Sequence, residues 1–204
     1  MPINRQLDCD VSPCVDVVKT APHTYRMEVD PAAVKVVMIS EAPPADPRDD
    51  FDAGPAAFFF RTTAQAFRDA GITVTSMQDI ADLGVYLTTA IKCPKVGYNV
   101  SARTVDACSA LLQKEIDLLP NVKAYLLMGD VALAAMNQIA RRMTGIRVVP
   151  AGSIYKLRRG VYEYRGARVF PSYLQTGKSY LIEKGKAEFI AQDIRAALDL
   201  LSCQ

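Results

Sequence analysis

The sequence predicts an α/β protein, a three-layer α/β/α sandwich around a central, mainly parallel sheet of four strands. Short apolar runs at 34–39, 85–91 and 124–128 have the continuous hydrophobicity of strands buried on both faces. Segments with apolar residues at helical spacing separate and follow them, at 56–70, 101–119 and 131–143. Strands that alternate with helices in this way are typical of parallel strands joined by crossover helices.

The remaining elements are shorter and come from local signals. Gly71 is expected to end the helix over 56–70, because glycine readily adopts the left-handed conformation that terminates helices. The other predicted elements are a fourth strand at 147–149, a hairpin of 162–164 and 167–170 around Arg165-Gly166, and a final helix at 187–201.

Length and composition favour one globular domain over residues 1–204, with residues 1–33 as an irregular N-terminal segment. Of the 204 residues, 50% are hydrophobic and 23% are charged, which is ordinary globular composition. The first residues lack the apolar run of a signal peptide, and no stretch is long enough to span a bilayer. We therefore expect a cytoplasmic monomer without a membrane partner.

Charge and motifs exclude several function classes. The net charge of +2 does not by itself indicate a nucleic-acid-binding protein. Basic clusters such as Lys156–Arg159 are solvated surface unless several of them share one face. The only histidine is His23, in a proline-flanked segment, so a histidine-based catalytic centre is not expected. Neither a GxGxxG nor a GxxxxGK[ST] motif is present, which excludes the common nucleotide-binding loops.

Four cysteines occur in two pairs that are distant in sequence. Cys9 and Cys14 form a C-x4-C pair, Cys93 follows the second predicted strand, and Cys108 lies in the next helix. Four thiolates could bind one tetrahedral metal ion or a [4Fe–4S] cluster. The alternative for Cys93 and Cys108 is that they are small buried apolar residues.

Four motifs occur in an order that resembles the uracil-DNA glycosylase superfamily. They are SEAPP at 40–44, TTAIKCP at 88–94, LLMGDVALAAM at 126–136 and FPSYL at 170–174. With the cysteine spacing, the sequence looks most like the iron–sulfur (family 4) branch, and the similarity extends from Cys9 to the last helix. The resemblance implies that Cys9, Cys14, Cys93 and Cys108 ligate a [4Fe–4S] cluster, with zinc or an empty site as alternatives.

The same resemblance assigns roles in cleavage of the N-glycosidic bond of a damaged or deaminated base in DNA. Glu41 matches the glutamate that positions water or supports the flipped nucleotide. The implied base-binding residues are Thr89, Phe170 and Ser172, and the implied DNA-binding residues are Tyr173, Leu174, Gln175 and Lys178. Residues 173–175 would form a loop that wedges into the duplex.

Four positions in these motifs depart from the family pattern, which places the reaction itself in question. Ser40 and Pro44 replace glycines, Thr89 replaces a base-reading asparagine, and Phe170 replaces a histidine that donates to the base. Each lost donor of this kind typically costs on the order of 2.7–4 kcal/mol of barrier. We therefore expect a glycosylase with altered or weak base specificity. The alternative is an inactive nucleic-acid-binding or iron–sulfur protein that retains the fold.

Overall fold

The structure is a computed structural model that describes Cys9, residues 14–19, 29–176 and 178–202. His23, Cys203 and most of the segment predicted to be irregular at 1–33 lie outside the described residues. In the part of the chain that is described, no helix has the length and apolar character needed to cross a membrane.

A five-stranded sheet with the order β2-β1-β3-β5-β4 forms the centre of the protein. The strands are β1 (Val36–Ser40), β2 (Val85–Thr89), β3 (Ala124–Met128), β4 (Tyr162–Tyr164) and β5 (Ala167–Ser172). The pairs β1–β2, β1–β3 and β3–β5 are parallel, and only the edge strand β4 runs antiparallel to its neighbour. The predicted fold class is confirmed, with five strands rather than four.

Helices cover both faces of this sheet. Their bounds are α1 (Phe58–Asp69), α2 (Met77–Asp82), α3 (Ala102–Ile116), α4 (Asp130–Thr144), α5 (Ile154–Leu157), α6 (Lys178–Ile182) and α7 (Lys184–Ser202). Helices α1 and α7 pack on one face, where Val36 and Met38 of β1 point. Helices α3 and α4 pack on the other, against Val37 and Ile39. The short helices α2, α5 and α6, which the sequence analysis missed, carry too few turns for a clear periodic pattern.

Two turn predictions rest on backbone conformation and are confirmed. Helix α1 ends before Gly71, whose φ of 86° is left-handed, and the Gly71 N–H donates to the Arg68 carbonyl at 2.8 Å. Arg165 and Gly166 join β4 to β5 with φ values of 52° and 76°. Two successive residues at positive φ are typical of the tight turn that matches the twist of a hairpin.

The predicted strand at 147–149 is wrong, and a side chain explains why. Asn137 of α4 donates from Nδ2 to the Val149 carbonyl at 2.9 Å, and its Oδ1 accepts from the Val149 N–H at 3.0 Å. The amide of Asn137 thus supplies both bonds that a neighbouring strand would otherwise make. Residues 147–149 pack beside α4 without entering the sheet.

The strand that contains Phe170 is longer than predicted. We expected it to stop at Phe170, but β5 continues through Pro171 to Ser172, which pairs with Met128 of β3. Proline is tolerated there because β4 pairs with β5 no further than Val169, which leaves one side of β5 free of ladder bonds. Phe170 is therefore a residue inside the sheet, and Ser172 ends the strand.

Replacing Asn137 with alanine should destabilise the protein by about 1–3 kcal/mol, because two buried backbone groups of Val149 lose their partners. The free energy of unfolding, from urea titration, measures the effect. Asn121→Ala is the matched control, since Asn121 makes an exposed bond to the Ala32 carbonyl. Equal effects of the two substitutions would contradict the role given to Asn137.

Candidate functional site

The carboxyl ends of β1, β2 and β5 bring polar side chains to one edge of the sheet. Ser40 ends β1 and is the Cα partner of Thr89, which ends β2. By the alternation of the strands, Ser40, Thr89 and Ser172 share the face covered by α1 and α7. Ligands of open α/β sheets bind beyond these strand ends, so this edge is the candidate site.

Glu41 follows β1 at this edge and is held in place. Its Oε1 accepts from Lys95 Nζ at 2.8 Å, and its side chain remains 20% exposed. The Glu41 carbonyl accepts from the Ile91 N–H at 2.9 Å, which fixes the backbone beside the end of β2. Lys95 also donates to the Tyr98 carbonyl at 2.9 Å. Glu41 is thus an oriented, solvent-reachable carboxylate and not a freely solvated loop acid.

Thr89 and Gln175 carry unsatisfied polar atoms inside the protein. Thr89 Oγ1 is buried and has no hydrogen-bond partner among the described residues. Gln175 is fully buried; its Nε2 donates to Ser40 Oγ at 2.7 Å, whereas its Oε1 has no partner within the described chain. The sequence analysis placed Gln175 on an exposed wedge. The structure corrects this, because the amide points inward to β1.

Ser172 and Phe170 do not join this polar group. Ser172 Oγ donates to Asp193 Oδ2 of α7 at 2.6 Å, and Arg158 donates to the other oxygen of Asp193 at 2.7 Å. Burial raises the pKa of Asp193. Phe170 is half-buried in the apolar cluster under α1 and α7, with the Arg168 guanidinium 4.9 Å from its ring centroid. The Ser172 hydroxyl therefore donates its proton to Asp193 of α7.

Three of the four cysteines lie on the other side of the sheet. Cys14 and Cys108 are buried in the cluster formed with α3 and α4, Cys93 is half-buried beside it, and Cys9 is exposed. Burial raises the pKa of the Cys108 thiol to about 11; the Lys92 backbone N–H opposes this by donating to the sulfur. Electrostatic effects of the Cys14, Cys93 and Cys9 thiols add to this rise.

The spacing of these thiols limits what they can hold as they stand. In residues 14–19, 29–176 and 178–202 together with Cys9, no three His, Cys, Asp or Glu side chains meet closely enough to hold a single metal ion. A zinc ion needs sulfurs at about 2.3 Å from one centre. A four-iron cluster spreads its ligands more widely, because the ligands bind different irons. Thiols are the donor type that both zinc sites and iron–sulfur clusters use.

Hydrogen bonds join the N-terminal cysteine segment to the other two cysteines. Val17 forms an antiparallel bridge with Lys95, and the Val18 N–H donates to the Pro94 carbonyl at 2.8 Å. The Asp16 carboxylate accepts from the Ser101 N–H at 2.5 Å and also from the Thr104 hydroxyl, at the start of α3. These bonds, the Thr104 bond first, lower the pKa of Asp16. Cys14 is thereby fixed near Cys93 and Cys108.

Aromatic rings and cations alternate on the surface beside residue 173, and we call this set the aromatic–cation surface. The ring centroid of Phe189 in α7 lies 6.0 Å from that of Tyr155 and 6.2 Å from that of Tyr173. Its cations are Arg158 over Phe189 at 4.3 Å, Arg159 over Tyr155 at 5.1 Å and Lys186 over Tyr173 at 5.5 Å. Lys178 begins α6, but its side chain lies outside the described atoms.

Several residues of this site were missed by the sequence analysis. Three of them bond to residues that are distant in sequence: Lys95 to a residue 54 positions away, Asp16 to one 85 away and Asp193 to one 21 away. No local sequence pattern reveals such pairs. Lys92 was missed as well. It is fully buried, and its Nζ donates to Glu115 Oε2 at 2.5 Å. A lysine at the end of an apolar strand could have indicated a buried partner, because an unpaired buried charge is costly.

Comparisons with known proteins agree with the motif order. The profile of the uracil DNA glycosylase superfamily matches residues 27–192. A type-5 uracil-DNA glycosylase from Thermus thermophilus is 34% identical over 58 residues, which are 28% of this chain and 26% of that relative. The match thus spans about a quarter of the curated relative's length.

The solved structures include a wild-type UNG crystal structure from Nitratifractor salsuginis. The two sequences are 14% identical, the match covers 83% of this chain and 75% of the UNG chain, and the TM-score is 0.41. The family profile, by contrast, covers most of the chain, including all of the strand ends described above. The protein belongs to the uracil-DNA glycosylase superfamily.

Proposed function

We propose that the protein is a DNA glycosylase that hydrolyses the N-glycosidic bond of a damaged or deaminated base, with a base specificity altered from that of its family. The observation that carries this proposal is that Glu41, an oriented carboxylate, directly follows Ser40, which pairs with Thr89 and accepts from the buried Gln175 amide. A carboxylate that adjoins a buried group of hydrogen-bonding side chains suits two needs of base excision: charge or ordered water near the sugar, and contacts to the edge of the base.

Glu41 is assigned the chemical role. Cleavage of the glycosidic bond develops positive charge on the sugar, as in glycoside hydrolysis generally. A carboxylate can stabilise that charge or orient the attacking water. The Lys95 ammonium at 2.8 Å supports this role by fixing the direction of the carboxylate, whose side chain still reaches solvent. Glu41 is the only acid at this edge to which we give a catalytic part.

We also propose that Cys9, Cys14, Cys93 and Cys108 hold a [4Fe–4S] cluster. Cluster ligation by four thiolates would tie the N-terminal segment to β2 and α3 as a structural crosslink. A redox role is not needed, because hydrolysis of a glycosidic bond involves no net oxidation or reduction. The bridge at Val17 and the Asp16 contacts support this, because they bring the segment to Cys93 and Cys108 through protein atoms alone. Reduced thiols suit the cytoplasm, where we place the protein.

DNA is the proposed partner, and the aromatic–cation surface is the proposed contact for the strand that flanks the target base. Tyr155 is 50% exposed, and Lys156 and Arg159 are exposed beside it. Aromatic rings next to cations suit bases and phosphates together. Arg158, Arg159 and Lys186 thus share one face, which is the condition under which the sequence analysis favoured phosphate contact.

A second candidate is a binding protein that has kept the fold and lost the reaction. It is favoured by Phe170, which offers no hydrogen bond where the family has histidine, and by the engagement of Ser172 with Asp193. Such a protein would bind DNA as strongly without the Glu41 carboxylate as with it. Dependence of base release on Glu41 separates the two candidates.

Replacing Glu41 with glutamine should lower base release by at least about 100-fold, because the substitution keeps the size of the side chain and removes its charge. The measurement is cleavage at abasic sites in single- and double-stranded oligonucleotides that carry uracil, hypoxanthine or xanthine. Glu163→Gln is the control, since Glu163 is exposed on the edge strand β4. Release that both variants retain would contradict the assignment, and no release by the wild type would favour the binding protein.

Anaerobically purified protein should be brown and contain about four irons and four sulfides per chain if it holds one cluster. Cys93→Ser and Cys108→Ser should each lose most of this iron, because each removes one of four ligands. Cys203→Ser is the matched control, as it has no part in the proposed set. Stoichiometric zinc without iron would reject the cluster and leave the four-thiolate site.

Removing Lys156 and Arg159 should weaken DNA binding in a salt-dependent way. The double alanine variant should reduce the slope of log affinity against log salt by about 1.4–1.8, from two lost phosphate contacts. Fluorescence anisotropy with a labelled oligonucleotide at several salt concentrations gives this slope. Lys114→Ala, in the last turn of α3 and exposed, is the control. An unchanged slope would remove the aromatic–cation surface from the DNA interface.

A further inference from the structure

The buried polar atoms that lack partners are concentrated on one side of the sheet. Of the four such side-chain atoms in the described residues, Thr89 Oγ1 and Gln175 Oε1 flank Ser40, and Thr63 Oγ1 belongs to α1, the helix over the same face. The fourth, Tyr164 Oη, lies on β4. Buried polar groups are almost always paired, so a local excess of unpaired ones calls for a ligand.

The amide of Gln175 is fixed in one orientation. Its Nε2 lies 2.7 Å from Ser40 Oγ and 3.5 Å from Met38 Sδ. The thioether sulfur can only accept, so the NH₂ end of the amide must face β1. The carbonyl end, Oε1, is therefore directed away from Ser40 and Met38 as an unused acceptor. Gln175 is wholly buried, so water does not compete for the hydrogen bonds that fix this orientation.

Thr89 offers the complementary group. Its hydroxyl is buried on the same face, on the strand residue that pairs with Ser40, and it can donate a proton as well as accept one. An acceptor from Gln175 and a donor from Thr89 together match a ligand edge on which an N–H adjoins a C=O. When joined to deoxyribose, uracil and hypoxanthine both carry such an edge, whereas cytosine and adenine lack that N–H.

We propose that Gln175 and Thr89 determine base specificity, with Gln175 Oε1 accepting from the ring N–H of an imide or lactam base and the Thr89 hydroxyl donating to the adjacent carbonyl. Ser40 and Met38 are positioning residues, which act by holding the amide of Gln175. This inference deepens the proposed glycosylase function and rests on it for the identity of the ligand as a base. The two atoms are sealed from solvent, so the base must displace side chains that now cover them.

Binding of nucleosides tests the assignment without requiring catalysis. Titrations followed by NMR would compare 2′-deoxyuridine with 3-methyl-2′-deoxyuridine, and 2′-deoxyinosine with 1-methyl-2′-deoxyinosine, in which a methyl group replaces the only ring N–H of the base. We expect the wild type to bind at least one unmethylated nucleoside 10-fold or more tightly than its methylated form. Gln175→Met, of similar length, should lose that preference, and Thr89→Val should weaken binding of the unmethylated nucleoside by about 10-fold.

The outcomes distinguish the inference from the proposed function. Equal preference in wild type and Gln175→Met, or no binding of any of these nucleosides to the wild type, would overturn the inference. Preference that depends on Gln175 without base release from DNA would keep it and reject the glycosylase. If thermal melting shows that Gln175→Met does not fold, Ser40→Ala serves instead. It frees the amide to rotate and should lower the preference for the N–H form; an unchanged preference would contradict the proposal.

Discussion

The ion pair of Lys92 and Glu115 is the interaction on which both halves of the site depend. It is sealed from solvent, with exposed fractions of 1% and 0%, and Glu115 also accepts from Tyr86 at 2.6 Å and from Thr88 at 2.9 Å. Such a fully bonded network locks α3 against β2. Removing one partner of a buried pair typically costs about 3–5 kcal/mol, because the other charge is left without compensation.

The turn that contains Lys92 is held in place by this ion pair. The Lys92 backbone N–H donates to the Cys108 sulfur, Cys93 is the next residue, and Lys95 holds both Glu41 and the bridge to Val17. One turn after β2 therefore sets the place of the thiols and the direction of the candidate catalytic carboxylate. The thiols of Cys14, Cys93 and Cys108 lie with α3 and α4, whereas the buried polar side chains of Ser40 and Thr89 lie on the face of α1 and α7, so the sheet itself separates the two groups.

The sequence predicted the elements that depend on local pattern. Strand β3 was placed without error at Ala124–Met128, and the hairpin at Arg165-Gly166 results from backbone preferences of two residues. The same reasoning failed wherever a distant side chain replaced a regular partner. The amide of Asn137 takes the place of a strand next to Val149, and Gln175 turns inward because Ser40, 135 residues away, accepts from it. Motif order indicated the family, but the inward contacts of its altered residues required coordinates.

Phe170 and the polar residues that follow it belong to one arrangement. A phenyl ring at 170 packs among the apolar residues under α1 and α7, and β5 continues two residues beyond it. The strand then ends at Ser172, whose bond to Asp193 fixes the following loop against α7. From there the chain carries Gln175 back to β1, beside Thr89. The polar contact that β5 does not provide at residue 170 is thus available five residues later, from a loop whose direction is set by the buried end of the strand.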